Sequence, residues 1–155
     1  MEVKNTVKAL VVLAVLVSLS GCGFLLGVVL GDDVGVVNVV ADDSGTNGIE
    51  SVTITFASYS SNPDDVPYAI VLSNGQSLSY YSDVVIYEGE VDLQLSQTTT
   101  VIVTRSEIDA HLTLTGESAA TGDYYVGVIM DPMDTLDDTD PSDNQGVSSS
   151  QYYYQ

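Results

Sequence analysis

The densest concentration of chemistry in this sequence is a fourteen-residue stretch, 131–144, which reads DPMDTLDDTDPSDN and holds six aspartates. Calcium takes about six to eight oxygen ligands, and closely spaced carboxylates can supply them. Asp131, Asp134, Asp138, Asp140 and Asp143 form the candidate set. The spacing is not that of an EF-hand loop: after Asp134 the acid at the third position and the glycine are missing. The same residues also read as a turn corner. Asp131-Pro132 and Asp140-Pro141 start turns, and aspartate side chains bond to their own nearby backbone.

Other reactive side chains are sparse. His111 is the single histidine, Cys22 the single cysteine, and tryptophan is absent. No internal disulfide and no cysteine zinc site can therefore form within one chain. Serine and aspartate are plentiful enough for a Ser-His-Asp trio, but the GxSxG elbow is missing. Glu88 and Glu90 could do glycosidic acid–base work as a carboxylate pair. They fall on one face of an apparent strand end, where a solvated edge is the simpler reading. Tyr80-Tyr81 and the terminal tyrosines are candidate sugar-stacking groups, a reading weakened by the lack of tryptophan. No residue is assigned to catalysis, and the chain reads as non-enzymatic.

The elements that position these groups begin with an address. Residues 1–8 carry Lys4 and Lys8, 9–17 are unbroken apolar, and 19–22 read LSGC. A basic start, a short apolar run and small residues make a secretory signal. The cysteine directly after them resembles the bacterial lipobox, which implies cleavage before Cys22 and its lipidation. The expected organisation is a lipoprotein signal peptide over 1–21 and a lipidated tether over 22–33. The alternative is an uncleaved span, because residues 9–31 are largely apolar. Either way the acidic body lies outside the cytoplasm. Gly23 follows the cysteine where an inner-membrane retention signal has aspartate, which favours the outer membrane or cell surface.

Length and charge narrow the function. The chain of 155 residues suits one domain. Its formal net charge is −19. Beyond residue 21 one base, Arg105, faces 21 acids. Phosphate contacts need Lys and Arg, so nucleic acid is excluded as a partner. The same charge disfavours docking onto anionic lipid. With 45% apolar residues the chain can bury a core.

From Val34 the texture is β: short Val/Ile/Thr/Tyr runs separated by Ser, Asn, Asp, Gly and Pro. The pattern predicts strands over 34–40, 50–58, 66–72, 83–87, 91–95, 98–105, 110–115 and 123–130, with no helical stripe. Val52, Ile54 and Phe56 share one face of their strand, as Val101 and Val103 share one of theirs. Seven or eight short strands predict an all-β antiparallel sandwich or barrel. Residues 146–155 (GVSSSQYYYQ) predict a flexible tail, their Ser/Gln run having nothing apolar to bury; the alternative is that Tyr152, Tyr153 and Tyr154 pack back onto a sheet or serve as a sticky contact.

Three stretches resemble the CARDB family, the cell-adhesion-related domain of bacterial and archaeal surface proteins. VLSNGQSLSYYSDVVI (71–86) is similar to its "LS…(S)D" hairpin. GDYYVGVIMDP (122–132) is similar to its penultimate strand, and 131–144 to its closing pattern, in which Asn144 matches outright. The departures are SYSSNPDD (58–65) where the family has an Asn-Gly turn, and Asp134 and Asp143 where it has amides. The resemblance covers 34–145. It implies an immunoglobulin-like β-sandwich of seven or eight strands, extracellular, without enzymatic activity or cofactor. It also implies a structural corner of Asp131, Pro132, Asp138 and Asn144. The resulting expectation is a surface lipoprotein, membrane-bound through lipid on Cys22, presenting a binding domain to a protein or glycan. The alternative is a calcium-binding structural module of the envelope.

Overall fold

In Ser51–Ser58 every second residue is apolar, and the face carrying Val52, Ile54 and Phe56 is fully buried. That alternation recurs along the chain and dictates two layers. A computed structural model describes residues 31–46 and 48–155. Residues 1–21 and Cys22 lie outside the described residues, so the expected signal peptide and lipidation site do as well.

Among the described residues seven strands form: β1 (Val34–Asp42), β2 (Ser51–Ser58), β3 (Val66–Ser73), β4 (Val84–Val91), β5 (Thr98–Thr104), β6 (Gly122–Met130) and β7 (Gln145–Tyr154). A helix, α1 (Arg105–Thr115), joins β5 to β6. The sheets run β1-β2-β5 and β4-β3-β6-β7, all neighbours antiparallel. The chain changes sheet after β2, after β4 and, through α1, after β5. This is an immunoglobulin-like β-sandwich, and Asp32–Gln155 is one compact unit of it. Its core sets Val52, Ile54 and Phe56 of β2 against Tyr68, Ile70 and Leu72 of β3 and Val126, Val128 and Met130 of β6. The Phe56 and Tyr68 rings meet at 5.0 Å, tilted by 51°, a geometry aromatic pairs favour.

Strand β3 is buried on both faces. Its outward Ala69 and Val71 are buried, and Ile129 of β6 shares a groove wall with Leu78 and Tyr81 of the β3–β4 connection, which folds back over its own sheet. Leu78 of that connection rests on Gly127, where any side chain would collide with it. The connection is closed on itself by reciprocal bonds: Ser79 N–H donates to Asp83 Oδ2 at 2.8 Å, and Asp83 N–H to Ser79 O at 3.0 Å.

Three expectations are corrected. Residues 110–115 are not a strand but the end of α1. The helix starts after Thr104, whose N–H and Oγ1 both donate to Glu107 Oε2 at 2.7 Å, holding that carboxyl below its ordinary value. It ends at Gly116, left-handed at φ 74. Its Ile108 is fully buried, and it packs on β4 and β5, closing that flank of the sandwich. Residues 91–95 are not a separate strand. Val91 ends β4, and the loop beyond buries Leu93 and forms one bridge, Ser58 with Leu95. Residues 146–155 are not a flexible tail: 145–154 are β7, paired along β6 from Ile129↔Gln145 to Gly122↔Tyr154. At a period of two, Tyr152 and Tyr154 pack on the core, and Tyr154 is 4% exposed.

Candidate functional site

The acidic stretch is the whole connection from β6 to β7, and it divides into two places. Asp131 directly follows β6 with φ 42 and is 6% exposed. Its Oδ1 accepts Thr135 N–H at 2.9 Å and Thr135 Oγ1 at 2.6 Å, and its Oδ2 accepts Leu136 N–H at 2.7 Å. Asp131 N–H donates to Pro67 O at 2.8 Å, tying the corner to β3. Its carboxylate is thus spent on the backbone of its own turn. Asp131, Pro132, Asp134 and Asn144 line a groove of about 330 Å³ beneath the β3–β4 connection.

Asp138, Asp140 and Asp143 lie elsewhere, along the start of β1. Thr139 N–H donates to Asp32 O at 3.1 Å and Val36 N–H to Asp143 O at 2.9 Å. Two sequence-distant acids therefore join the seam, Asp32 and Asp33. Partial burial first, then the Asp138 and Asp140 carboxylates, hold Asp33 above its ordinary value. Burial, then Asp33, Asp140 and Asp138, do the same to Asp143. Asp138 Oδ2 and Asp143 Oδ1 are buried without a hydrogen-bond partner, as is Asn144 Oδ1. Asp140 is held low instead, because its Oδ1 accepts Ser142 Oγ at 2.5 Å and N–H at 3.2 Å. The five expected calcium ligands thus do not form one set: Asp131 is engaged and Asp134 faces the other groove. Among the described residues no three His, Cys, Asp or Glu side chains are grouped to hold a metal ion.

What the seam does chemically is take up protons. Raised carboxyls contribute stability in full below the ordinary carboxylate range, about pH 4, and lose it as pH rises through their folded values. The midpoint of thermal unfolding is therefore expected to rise as pH falls from neutrality through the raised values of Asp33 and Asp143 towards about pH 4. Below about pH 4 the lowered carboxyls of Asp42, Glu107 and Asp140 act oppositely, since their contribution is lost on protonation. Circular-dichroism melts across this range test the sign. Asp143→Asn should melt higher than the natural chain at neutral pH and respond less to acidification. A midpoint falling steadily from neutral pH would contradict the seam's role.

A second constellation lies on the outer face of β4-β3-β6-β7. Tyr80 and Tyr81 rise from the β3–β4 connection as an edge-to-face pair, centroids 5.4 Å apart at 79°. Tyr81 is 82% exposed, and Met133 beside it 57%. The Tyr81 hydroxyl lies 4.0 Å from Met133 Sδ. The Tyr80 hydroxyl donates to Glu88 Oε1 at 2.5 Å, which pushes its pKa up to about 12. Glu88 and Glu90 share the outward face of β4, both exposed. His111, from α1 rather than a strand, sits against Tyr87 at 5.9 Å, with Nε2 4.0 Å from Glu88 Oε2. Pro67, Tyr80, Glu88, Glu90, Pro132 and Met133 wall a groove of about 400 Å³. A neighbouring one of about 310 Å³ is walled by Tyr81, Glu88, His111 and Glu117. Both fall in the size range of small-ligand and side-chain sites. The tyrosines, the glutamates and His111 were visible in the sequence, but Met133 and Pro67 were not. The corner at Asp131 and the folded-back connection bring them in.

No protein-family model, no curated protein and no solved structure matches this chain. Among the described residues, no helix is long and apolar enough to cross a membrane.

Proposed function

We propose that this protein is a non-enzymatic lipoprotein of the cell envelope, anchored through lipid on Cys22 and presenting one immunoglobulin-like domain to a partner. The observation that carries the reading is the Tyr80–Tyr81 pair. A loop closed by Ser79 and Asp83 holds two aromatic rings beside Met133, on a sheet face it otherwise seals. Exposed tyrosine and methionine on a rigid support are what interface cores are made of. The basic start, the apolar run and LSGC supply the anchor. The CARDB-like stretches at 71–86, 122–132 and 131–144 agree with an adhesion role: the first builds the aromatic loop and the last the corner beside it. His111 serves this surface structurally, as a flank to Glu88. Bacterial lipoproteins carry more than one acyl chain, and stable anchoring needs more than one.

Fractionation tests the anchor. The natural chain is expected in the membrane fraction, and Cys22→Ala as an unprocessed or soluble product. Equal membrane retention of both would favour the uncleaved span over lipidation.

A further inference from the structure

We infer that the groove between Tyr80, Glu88, Glu90 and Met133 takes the arginine or lysine side chain of a basic segment on a partner protein. This deepens the binding reading above and rests on it. The groove offers two kinds of surface to one kind of guest. Tyr80 offers a ring and Met133 a polarizable sulfur, while Tyr81 stands outside the lining, edge-to-face with Tyr80 and with its hydroxyl 4.0 Å from Met133 Sδ. A cation is attracted to an aromatic face within about 6 Å. Glu88 and Glu90, two positions apart on β4, rise from backbone positions about 7 Å apart on one side of the strand. One oxygen of Glu88 is held by Tyr80, so the carboxylate is oriented before any guest arrives.

Among the described residues, no lysine or arginine lines this groove. The described residues contain no lysine, and their one arginine, Arg105, lies at the end of β7. There it bonds to Asp109 at 2.7 Å and Gln155 O at 2.6 Å and covers the Tyr154 ring. His111 can add a positive charge on Glu88's far side when protonated, but it does not line the groove. An apolar or anionic guest would have to desolvate Glu88 and Glu90 without a partner, which is costly. A basic side chain pairs with the glutamates and lays its methylenes along Pro67, Pro132 and Met133. A body with 21 acids against one base also draws such a segment in from a distance, and salt weakens this.

The test separates the groove from overall charge. The full chain in detergent is titrated with fluorescent peptides alternating glycine with arginine, lysine or glutamine, read by anisotropy. The arginine peptide, the lysine peptide or both should bind, and the glutamine peptide should not. Glu88→Gln with Glu90→Gln should weaken binding about tenfold. Tyr81→Ala should weaken it roughly two- to fivefold, without loss of fold, since that ring is exposed. Asp43→Asn with Asp64→Asn removes the same charge from exposed loops elsewhere and should change binding less than about twofold. Equal loss in both charge-matched pairs overturns the proposal, because attraction would then be to net charge alone. So does binding of the glutamine peptide, or of none of the three. The Cys22 fractionation is unaffected by these outcomes, so failure of the groove is distinguishable from failure of the anchored-domain reading.

Discussion

Truncation after Asn144 is expected to abolish the cooperative thermal transition of the sandwich. The segment removed is β7, an outer strand of the four-stranded sheet. Its loss strips β6 of one partner along Gly122 to Ile129, and Val126 N–H of the Ser148 hydroxyl that it donates to at 3.0 Å. It also opens the flank where β1 closes the sandwich. Ile49 N–H donates to Tyr153 O at 3.0 Å, and Gly48 bridges Tyr154 with φ 84, packed so closely that a side chain there would strike the Tyr153 carbonyl. The contact of Arg105 with the Tyr154 ring and its bond to Gln155 O go too, leaving its pairing with Asp109. Domains of this size are stable by only about 5–15 kcal/mol, and a whole strand's worth of burial and pairing is of that order. A single change in the same strand should already be large. Tyr154→Ala removes a buried ring, by analogy with Phe→Ala a loss of about 3–5 kcal/mol. That lowers the midpoint by roughly 10–20 °C. Near- and far-ultraviolet circular dichroism of the truncated and substituted chains checks this. A truncated chain melting at the full-length temperature would show that β7 is dispensable.

That strand was also the part of the fold least visible beforehand, for a physical reason. Composition weighed Ser148, Ser149, Ser150 and Gln151 as polar, yet Ser148 is fully buried and satisfied by backbone, with its hydroxyl donating to Ser150 O. Period two would have found the strand, because Tyr152 and Tyr154 fall on one face and Tyr153 on the other. The helix is faint in the sequence for a similar reason. Eleven residues with β-branched Ile108, Thr113 and Thr115 give a weak stripe, with only Ile108 and Leu112 turned to the core. Its ends were written plainly, however: Thr104 and Glu107 have capping-box spacing, Arg105 and Asp109 pair at four residues, and Gly116 stops it. Where alternation was strong, in β2 and β5, face and extent were legible: Val103 is buried and Ile102 is 60% exposed. At the acidic corner, residue types were legible but partners were not. Local spacing cannot show that β1 would bring Asp33 to Asp143, or that Asp131 would turn its carboxylate onto its own loop.

Asp131→Ala is the substitution at that corner expected to cost most, which separates a structural carboxylate from a spare one. The change leaves three donors unanswered, Thr135 N–H, Thr135 Oγ1 and Leu136 N–H, beneath a residue only 6% exposed. An unsatisfied buried donor costs about 1–3 kcal/mol, and Thr135, being exposed, recovers part of its loss from water. Alanine must in addition hold φ 42, which aspartate tolerates better, for about 1 kcal/mol more. The sum, about 3–5 kcal/mol, lowers the midpoint by roughly 10–20 °C. Asp131→Asn keeps the backbone preference and one acceptor but sets an amide N–H against Leu136 N–H, so it should fall between. Asp134→Ala shares the positive φ, at 54, yet lies exposed, and should cost only the conformational part. The order Asp131→Ala, Asp131→Asn, Asp134→Ala in thermal melts is the expected result. Equal, small effects would mean that the loop's hydrogen bonds are readily replaced by water. Because Pro132 and Met133 follow directly on Asp131, the same substitution should withdraw the sulfur from beside Tyr81. Binding at the aromatic groove would then weaken even below the melting temperature, which ties the corner that holds the last two strands together to the surface they present.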